Sequence, residues 1–292
     1  MRFKRCLLVE SSQSMANHLE RTLWAGGATA PEAVVEGLPY VEVVDTRGDF
    51  ATSSRIEAHR LASPYVRDGR TADGRKGSEV INERLGLDSD RPRAPREFAA
   101  GLMATDPMCL VHGIFFSVKD FPGQPKVPRV ITAAVEAHDV RAAHSGGVKK
   151  DSVQTSVATG GTGEGRGMVP FDRTEYVARE MVCYASIDLD QIQSYGLDDA
   201  CTELLADLAR LELRRLLDGS MRLRTACDLR PTDERIEARD GPPLPSTAEL
   251  EADVRAGIAA CTEAFDGGSK LTVTYDVDQH RNSKKAKPAK EG

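Results

Sequence analysis

Two glycines followed closely by two lysines, Gly146-Gly147 and Lys149-Lys150, are the residues best placed to meet a phosphate. Glycine lets bare backbone lie close to a ligand, and successive N–H groups beside cations form an anion-binding concavity. They sit in a glycine-rich stretch, 142–168, whose scattered larger apolar residues are Val148, Val153, Val157 and Met168. Such a stretch cannot fold on a core of its own. Structureless loops of this length inside a compact domain are usually either functional or disordered. From Arg141 to Glu180 there are six basic residues (Arg141, Lys149, Lys150, Arg166, Arg173, Arg179) against five acidic ones, so the positive excess is small. A solvated surface loop is the ordinary alternative.

Other chemistry is thin. Gly163, Gly165 and Gly167 alternate, but they match neither GxGxxG nor GxxxxGK[ST], so a nucleotide loop is not expected. His138-Asp139 resembles the core of metal phosphohydrolases, yet no second His/Asp set follows at ligand spacing, which favours a satisfied structural histidine. His59 could serve as a general base, with no partner that the sequence can name. The six cysteines (6, 109, 183, 201, 227, 261) include no CxxC pair and read as small buried hydrophobes rather than zinc ligands or disulfides. No catalytic set, metal or cofactor is expected.

The 292 residues suffice for one large domain or two small ones, and 40% apolar with 29% charged residues describes an ordinary globular chain. No run approaches a membrane helix, and the opening MRFKRCLLVE is too short in apolar residues for a signal peptide; a cytoplasmic protein is expected. A net charge of -6 argues against a nonspecific duplex-DNA binder, although a narrow basic groove can still guide a polyanion.

Several elements must position these residues. Phe3–Val9 reads as a strand. Met15, Leu19 and Leu23 then make a helix stripe after a serine cap, leaving Asn17, His18 and Arg21 off the stripe. Tyr40–Val44 is a short strand. Ser54 with Glu57 reads as a capping box for a helix from Arg55 to Leu61, stopped by Pro64, with Arg55, His59 and Arg60 on its polar face. Residues 67–97 carry eight basic and seven acidic side chains and are expected as a mobile insertion that buries little, with helical turns at Ser78–Leu85.

Cys109–Val118 reads as a strand, 130–140 is open between strand and helix, and Met181–Leu189 alternates as a strand. Asp199–Leu217 is the clearest helix, striped by Leu204, Leu205, Leu208, Leu211 and Leu216 and ended by Gly219. Met221–Leu229 reads as one strand carrying Arg222 and Arg224. Ser246 with Glu249 starts a helix with Leu250, Val254 and Ile258 inside, and Leu271–Val277 closes as a strand. The tail 280–292 is basic and expected to be disordered. The pattern is α+β, compatible with a ferredoxin-like sheet over 1–279 that carries long insertions.

SSQSMANHLE, TSSRIEAHRLASPY, PRVITAAVEAHDV, SGGVKKDSV, GMVPFDRTEYVARE, SIDLDQIQSYGL and RLRTACDL, in unbroken order between residues 3 and 230, resemble another pattern. They are similar to the backbone subunit of type I-U (I-G) CRISPR interference complexes, the Cas-seven-type branch of the RAMP superfamily. The resemblance implies an RRM-like palm with inserted fingers and a thumb-like loop at 141–180. It implies copies stacked head to tail on a CRISPR RNA, with other Cascade subunits, presenting the spacer to target DNA. It carries RNA contacts onto Ser12, Gln13, Asn17 and Arg21, onto Arg55, His59, Arg60 and Arg129, and onto Gly146, Gly147, Lys149 and Lys150. Arg166 and Arg173 add charge, and Met168 or Phe171 is placed to wedge between bases. Some related backbones cut target RNA with a palm-loop aspartate, for which Asp45 or Asp49 would be the candidates, against a plain turn role in VVDTRGDF. Phosphate and ribose contacts leave base edges free for pairing, and 5% aromatic content fits backbone tracking better than a stacking platform.

Overall fold

A computed structural model describes residues 5–24, 26–150, 168–219, 221–224, 227–232, 236–239, 241–265 and 270–276. In chain order, the first elements are β1 (Cys6–Glu10), α1 (Ser12–Glu20), β2 (Tyr40–Val44), β3 (Phe50–Ser53), α2 (Pro64–Asp68), α3 (Gly77–Arg84), α4 (Pro95–Thr105) and α5 (Met108–His112). Then follow β4 (Ile114–Phe115), β5 (Lys126–Val127), β6 (Ile131–His138), β7 (Arg141–Lys150), β8 (Met168–Val177), β9 (Glu180–Ile187), α6 (Leu189–Ser194) and α7 (Asp199–Asp218). The last are β10 (Met221–Arg224), β11 (Cys227–Leu229), α8 (Thr247–Ala260) and β12 (Lys270–Thr274). The class is α+β, with small sheets. The chain gathers into two compact units, one of 1–11 with 134–184 and one of 12–133 with 185–292.

The larger unit is built around α7. Asp198 caps it by accepting a hydrogen bond from the Cys201 amide at 2.7 Å, and its leucine stripe is buried at Leu204, Leu205, Leu208, Leu211 and Leu216. Burial of this kind stabilises by about 1.5–3 kcal/mol per large side chain. Helix α8 starts on the expected Ser246–Glu249 capping box and buries Leu250, Val254 and Ile258. It approaches α7 closely at Gly257, where a Cβ would stand 3.0 Å from Leu204 Cδ1. A three-stranded sheet in the same unit places β2 between β12, parallel to it, and β3, antiparallel.

The smaller unit consists of β1, most of β6 and β9, and a long antiparallel ribbon of β7 and β8. The open reading of 130–140 resolves to a strand because Ile131, Ala133, Val135 and Ala137 are buried at a period of two. Helical packing would need a period near 3.6.

Three of the six cysteines are not the buried hydrophobes expected, Cys6 being exposed and Cys183 and Cys227 half-buried, and four stretches of chain also need correction. Ser54 does not cap a helix over 55–61: its hydroxyl donates to Asp106 Oδ2 at 2.6 Å and accepts from the Val41 amide at 3.0 Å. Residues 54–59 form turns, a 3-10 turn covers Arg60–Ala62, and Pro64 opens α2 instead of ending a helix. Cys109 lies in α5, because the Asp106 carboxylate accepts from the Met108 amide and nucleates a turn that Gly113 ends at φ 74°. Within 67–97, Val80, Ile81, Leu85 and Leu87 are buried, so 77–87 contributes to the core while 88–97 is exposed. Met221–Leu229 is a hairpin of β10 and β11 with its turn outside the described residues.

Candidate nucleic-acid interface

Helix α1 divides its residues by face. Met15, Ala16 and Leu19 are buried, while Asn17 and Arg21 are exposed. Asn17, Glu20, Arg21 and Trp24 recur at helical spacing and line a cleft of about 220 Å³ with Arg55. Trp24 forms its wall: its ring stacks on Phe50 at 6.0 Å, meets Tyr40 edge-on at 5.6 Å, and its indole N–H donates to the Ala28 carbonyl at 3.0 Å. Glu20 and Trp24 were not singled out by the sequence reading. Their signal was present, as Asn17 plus three and plus seven.

The two cations behind the cleft are inward-facing. With the expected helix absent, the Arg55 side chain is only 6% exposed. Its Nη2 donates to the Leu38 and Pro39 carbonyls at 2.9 Å, its Nε stands 3.7 Å from Asp106 Oδ1, and its guanidinium lies over the Tyr40 ring. Burial pushes the Asp106 carboxyl above its ordinary range, against the pull of the Arg55 guanidinium and the Ser54 hydroxyl. Arg60, 8% exposed, adopts a left-handed φ of 49° and pairs with Glu20 at 2.5 Å. Neither arginine offers the exposed polar face that the helix reading gave it. His59 is exposed in the same turn.

Ser12 and Arg129 do meet. Arg129 Nη1 donates to the Ser12 carbonyl at 3.3 Å, and the Ser12 hydroxyl donates to Gln13 Oε1 at 3.4 Å. The arginine thus ties the start of α1 to the segment leading into β6.

The β7–β8 ribbon holds the rest. The glycine-rich stretch is expected as a loop, but its ends pair in strict register, from Arg141 opposite Val177 to Lys150 opposite Met168. Gly146 lies opposite Asp172 and Gly147 opposite Phe171, whose ring is 52% exposed. Arg173 pairs with Glu175 at 2.7 Å on the exposed ribbon. Residues 151–167, Arg166 among them, lie outside the described residues, as do the side chains of Lys149, Lys150 and Met168.

Asp45 closes the β2–β3 turn. Its Oδ1 accepts from the Arg47 and Asp49 amides at 2.8 and 3.0 Å, and its Oδ2 accepts from the Arg47 side chain at 2.9 Å. The Arg47 amide holds this carboxyl below the usual carboxylate range, with the Arg47 side chain and the Asp49 amide adding to it. Asp49 lies 3.3 Å from the same arginine.

Residues 2–142 match the model of a family described as CRISPR-associated protein GSU0053. The match spans just under half of the chain, and over that stretch the chain is similar to this CRISPR-associated family. The match takes in α1, the cleft, Arg129, β6 and the first two residues of β7, and the likeness supports a role in CRISPR defence. No curated protein matches the chain. Among the described residues, no helix is long and apolar enough to cross a membrane.

Proposed function

We propose that the chain is the CRISPR-RNA-binding backbone subunit of a type I-U/I-G Cascade complex, non-catalytic and cytoplasmic. Its larger unit serves as an RRM-like palm and the β7–β8 ribbon as a thumb. The observation that carries the reading is the exposed face of α1, where Asn17 and Arg21 border a cleft inside the part of the chain that matches the CRISPR-associated family. Among the described residues lining the cleft, Arg21 is the cation free to reach a phosphate, because Arg55 and, behind it, Arg60 are engaged inward. Copies bind head to tail along the RNA, a heterologous contact whose length the RNA sets, and neighbours add avidity to a weak single site. Other Cascade subunits complete the assembly, and the held spacer pairs with target DNA through its free base edges.

The test is a salt titration of single-stranded RNA binding by wild type, Arg21→Ala, and Lys149→Ala with Lys150→Ala. Each phosphate contact removed should lower the salt slope by about 0.7, equally for every spacer sequence. Unchanged slopes in both variants would overturn the assignment of these cations to the RNA path.

A further inference from the structure

Strand pairing brings Cys6 to two side chains of β6 that lie far from it in sequence, Glu136 and His138. Cys6 on β1 lies directly opposite His138 on β6, and Glu136, two residues before His138, shares that face of the strand. The ligand-capable atoms of Cys6, Glu136 and His138 all lie within 4.8 Å of one another. His138 Nε2 stands 3.6 Å from Glu136 Oε2 and 3.5 Å from the Tyr184 hydroxyl, and its Nδ1 stands 3.9 Å from Glu180 Oε1. All five residues belong to the smaller unit.

These separations are long for hydrogen bonds and close to what a shared cation requires. Bonds of about 2.0–2.3 Å in a tetrahedral shell put neighbouring ligand atoms about 3.3–3.8 Å apart. The Nε2–Glu136 separation already matches, and the exposed Cys6 side chain needs only a rotamer change to close the third edge. Thiolate, imidazole and carboxylate together form a donor set for zinc. A metal-bound histidine characteristically gives its other ring N–H to a carboxylate, and Glu180 stands on that side of the ring.

We infer that Cys6, Glu136 and His138 bind a zinc ion, with Glu180 orienting the imidazole and water completing the shell. The site clips the N-terminal strand to β6, closing a long chain loop, the arrangement in which a metal clip has most to add. It stands independently of the RNA-binding proposal.

Cobalt is the probe for the full-length chain, freed of metal with a chelator. One equivalent of Co²⁺ should produce a thiolate-to-cobalt charge-transfer band that Zn²⁺ abolishes. Cys6→Ser and His138→Gln should each lose the band, and Glu180→Gln should keep it with affinity about 10- to 100-fold weaker. In wild type, zinc should protect Cys6 from iodoacetamide, read by peptide mass, while Cys227 reacts alike with and without metal. This readout needs no variant to fold. No band at saturating cobalt, a band that survives Cys6→Ser, or unchanged alkylation of Cys6 would overturn the site.

Discussion

The ring of Phe171 lies over Gly147, its partner across the β7–β8 ribbon, so that a Cβ at Gly147 would stand 3.2 Å from the ring's Cε1 and Cζ. Gly147 therefore makes room for an aromatic side chain, a different use of its small size from the close phosphate approach expected of it. Because Phe171 is more than half exposed, Phe171→Ala should leave the melting temperature nearly unchanged. If the ring stacks on a base, the same change should weaken RNA binding by about 1–3 kcal/mol. Gly147→Val should reproduce part of that loss by swinging the ring off its seat. RNA affinity measured beside thermal melting checks both, and unaltered affinity in Phe171→Ala would remove the wedge.

Arg21 and Arg55 line one cleft and should answer mutation in opposite ways. Arg55→Ala leaves Asp106 buried without its cation, a loss of about 3–5 kcal/mol in stability by analogy with other broken buried pairs. Arg21→Ala removes an exposed side chain and should change stability by under about 0.5 kcal/mol while lowering the RNA salt slope. Chemical denaturation and RNA titration on the same two variants separate a folding effect from a binding effect. An Arg55→Ala protein as stable as wild type would contradict the inward role.

What the sequence made legible follows from where its signals are local. Helix α7 is readable to within a residue because cap, stripe and terminator lie within one segment and agree, and the start of α8 is readable from its cap and stripe. The Ser54–Glu57 pair had the same local signature, yet Asp106, distant in sequence, takes the Ser54 hydroxyl, and Glu57 accepts from Thr52 and Ser63 instead. That one tertiary competitor turned Arg55 and Arg60 from an exposed face into a buried one. In sequence the glycine-rich ends of the ribbon look like a loop because glycine-rich strands lack the apolar alternation that marks a strand, and only pairing reveals them. The Cys6–His138 pairing was illegible for a further reason: register between distant strands is not written in spacing.

Stability should fall in acid through the cluster of Arg67, Asp68, Lys76 and Asp120. Lys76 Nζ lies 2.7 Å from Asp120 and 3.2 Å from Asp68, which also accepts from Arg67. Burial raises the Asp68 carboxyl, but the hydrogen bonds from Arg67 and Lys76 outweigh it and leave the group below its ordinary range. A depressed folded value contributes stability above the unfolded value, and that stability is lost as pH falls through the folded one. The wild-type protein should therefore lose stability below about pH 4, and Asp68→Asn should show a shallower slope there. Urea denaturation across that range decides it, and parallel curves would show that Asp68 is not the group responsible.

The β2–β3 turn gives the last prediction, which concerns whether the chain cuts RNA. Asp45 is occupied by the turn it closes, through both amides and the Arg47 side chain, whereas the exposed Asp49 carboxylate meets the Arg47 guanidinium at 3.3 Å. Asp45→Ala should loosen the turn, seen as faster hydrogen exchange at the Arg47 and Asp49 amides. Asp49→Ala should leave those amides protected. Under the proposed non-catalytic role, the assembled complex incubated with complementary RNA and magnesium leaves that RNA whole in wild type and in both variants. Periodic cuts in wild type that vanish in Asp49→Ala, with the turn still protected, would make Asp49 catalytic and the chain a nuclease.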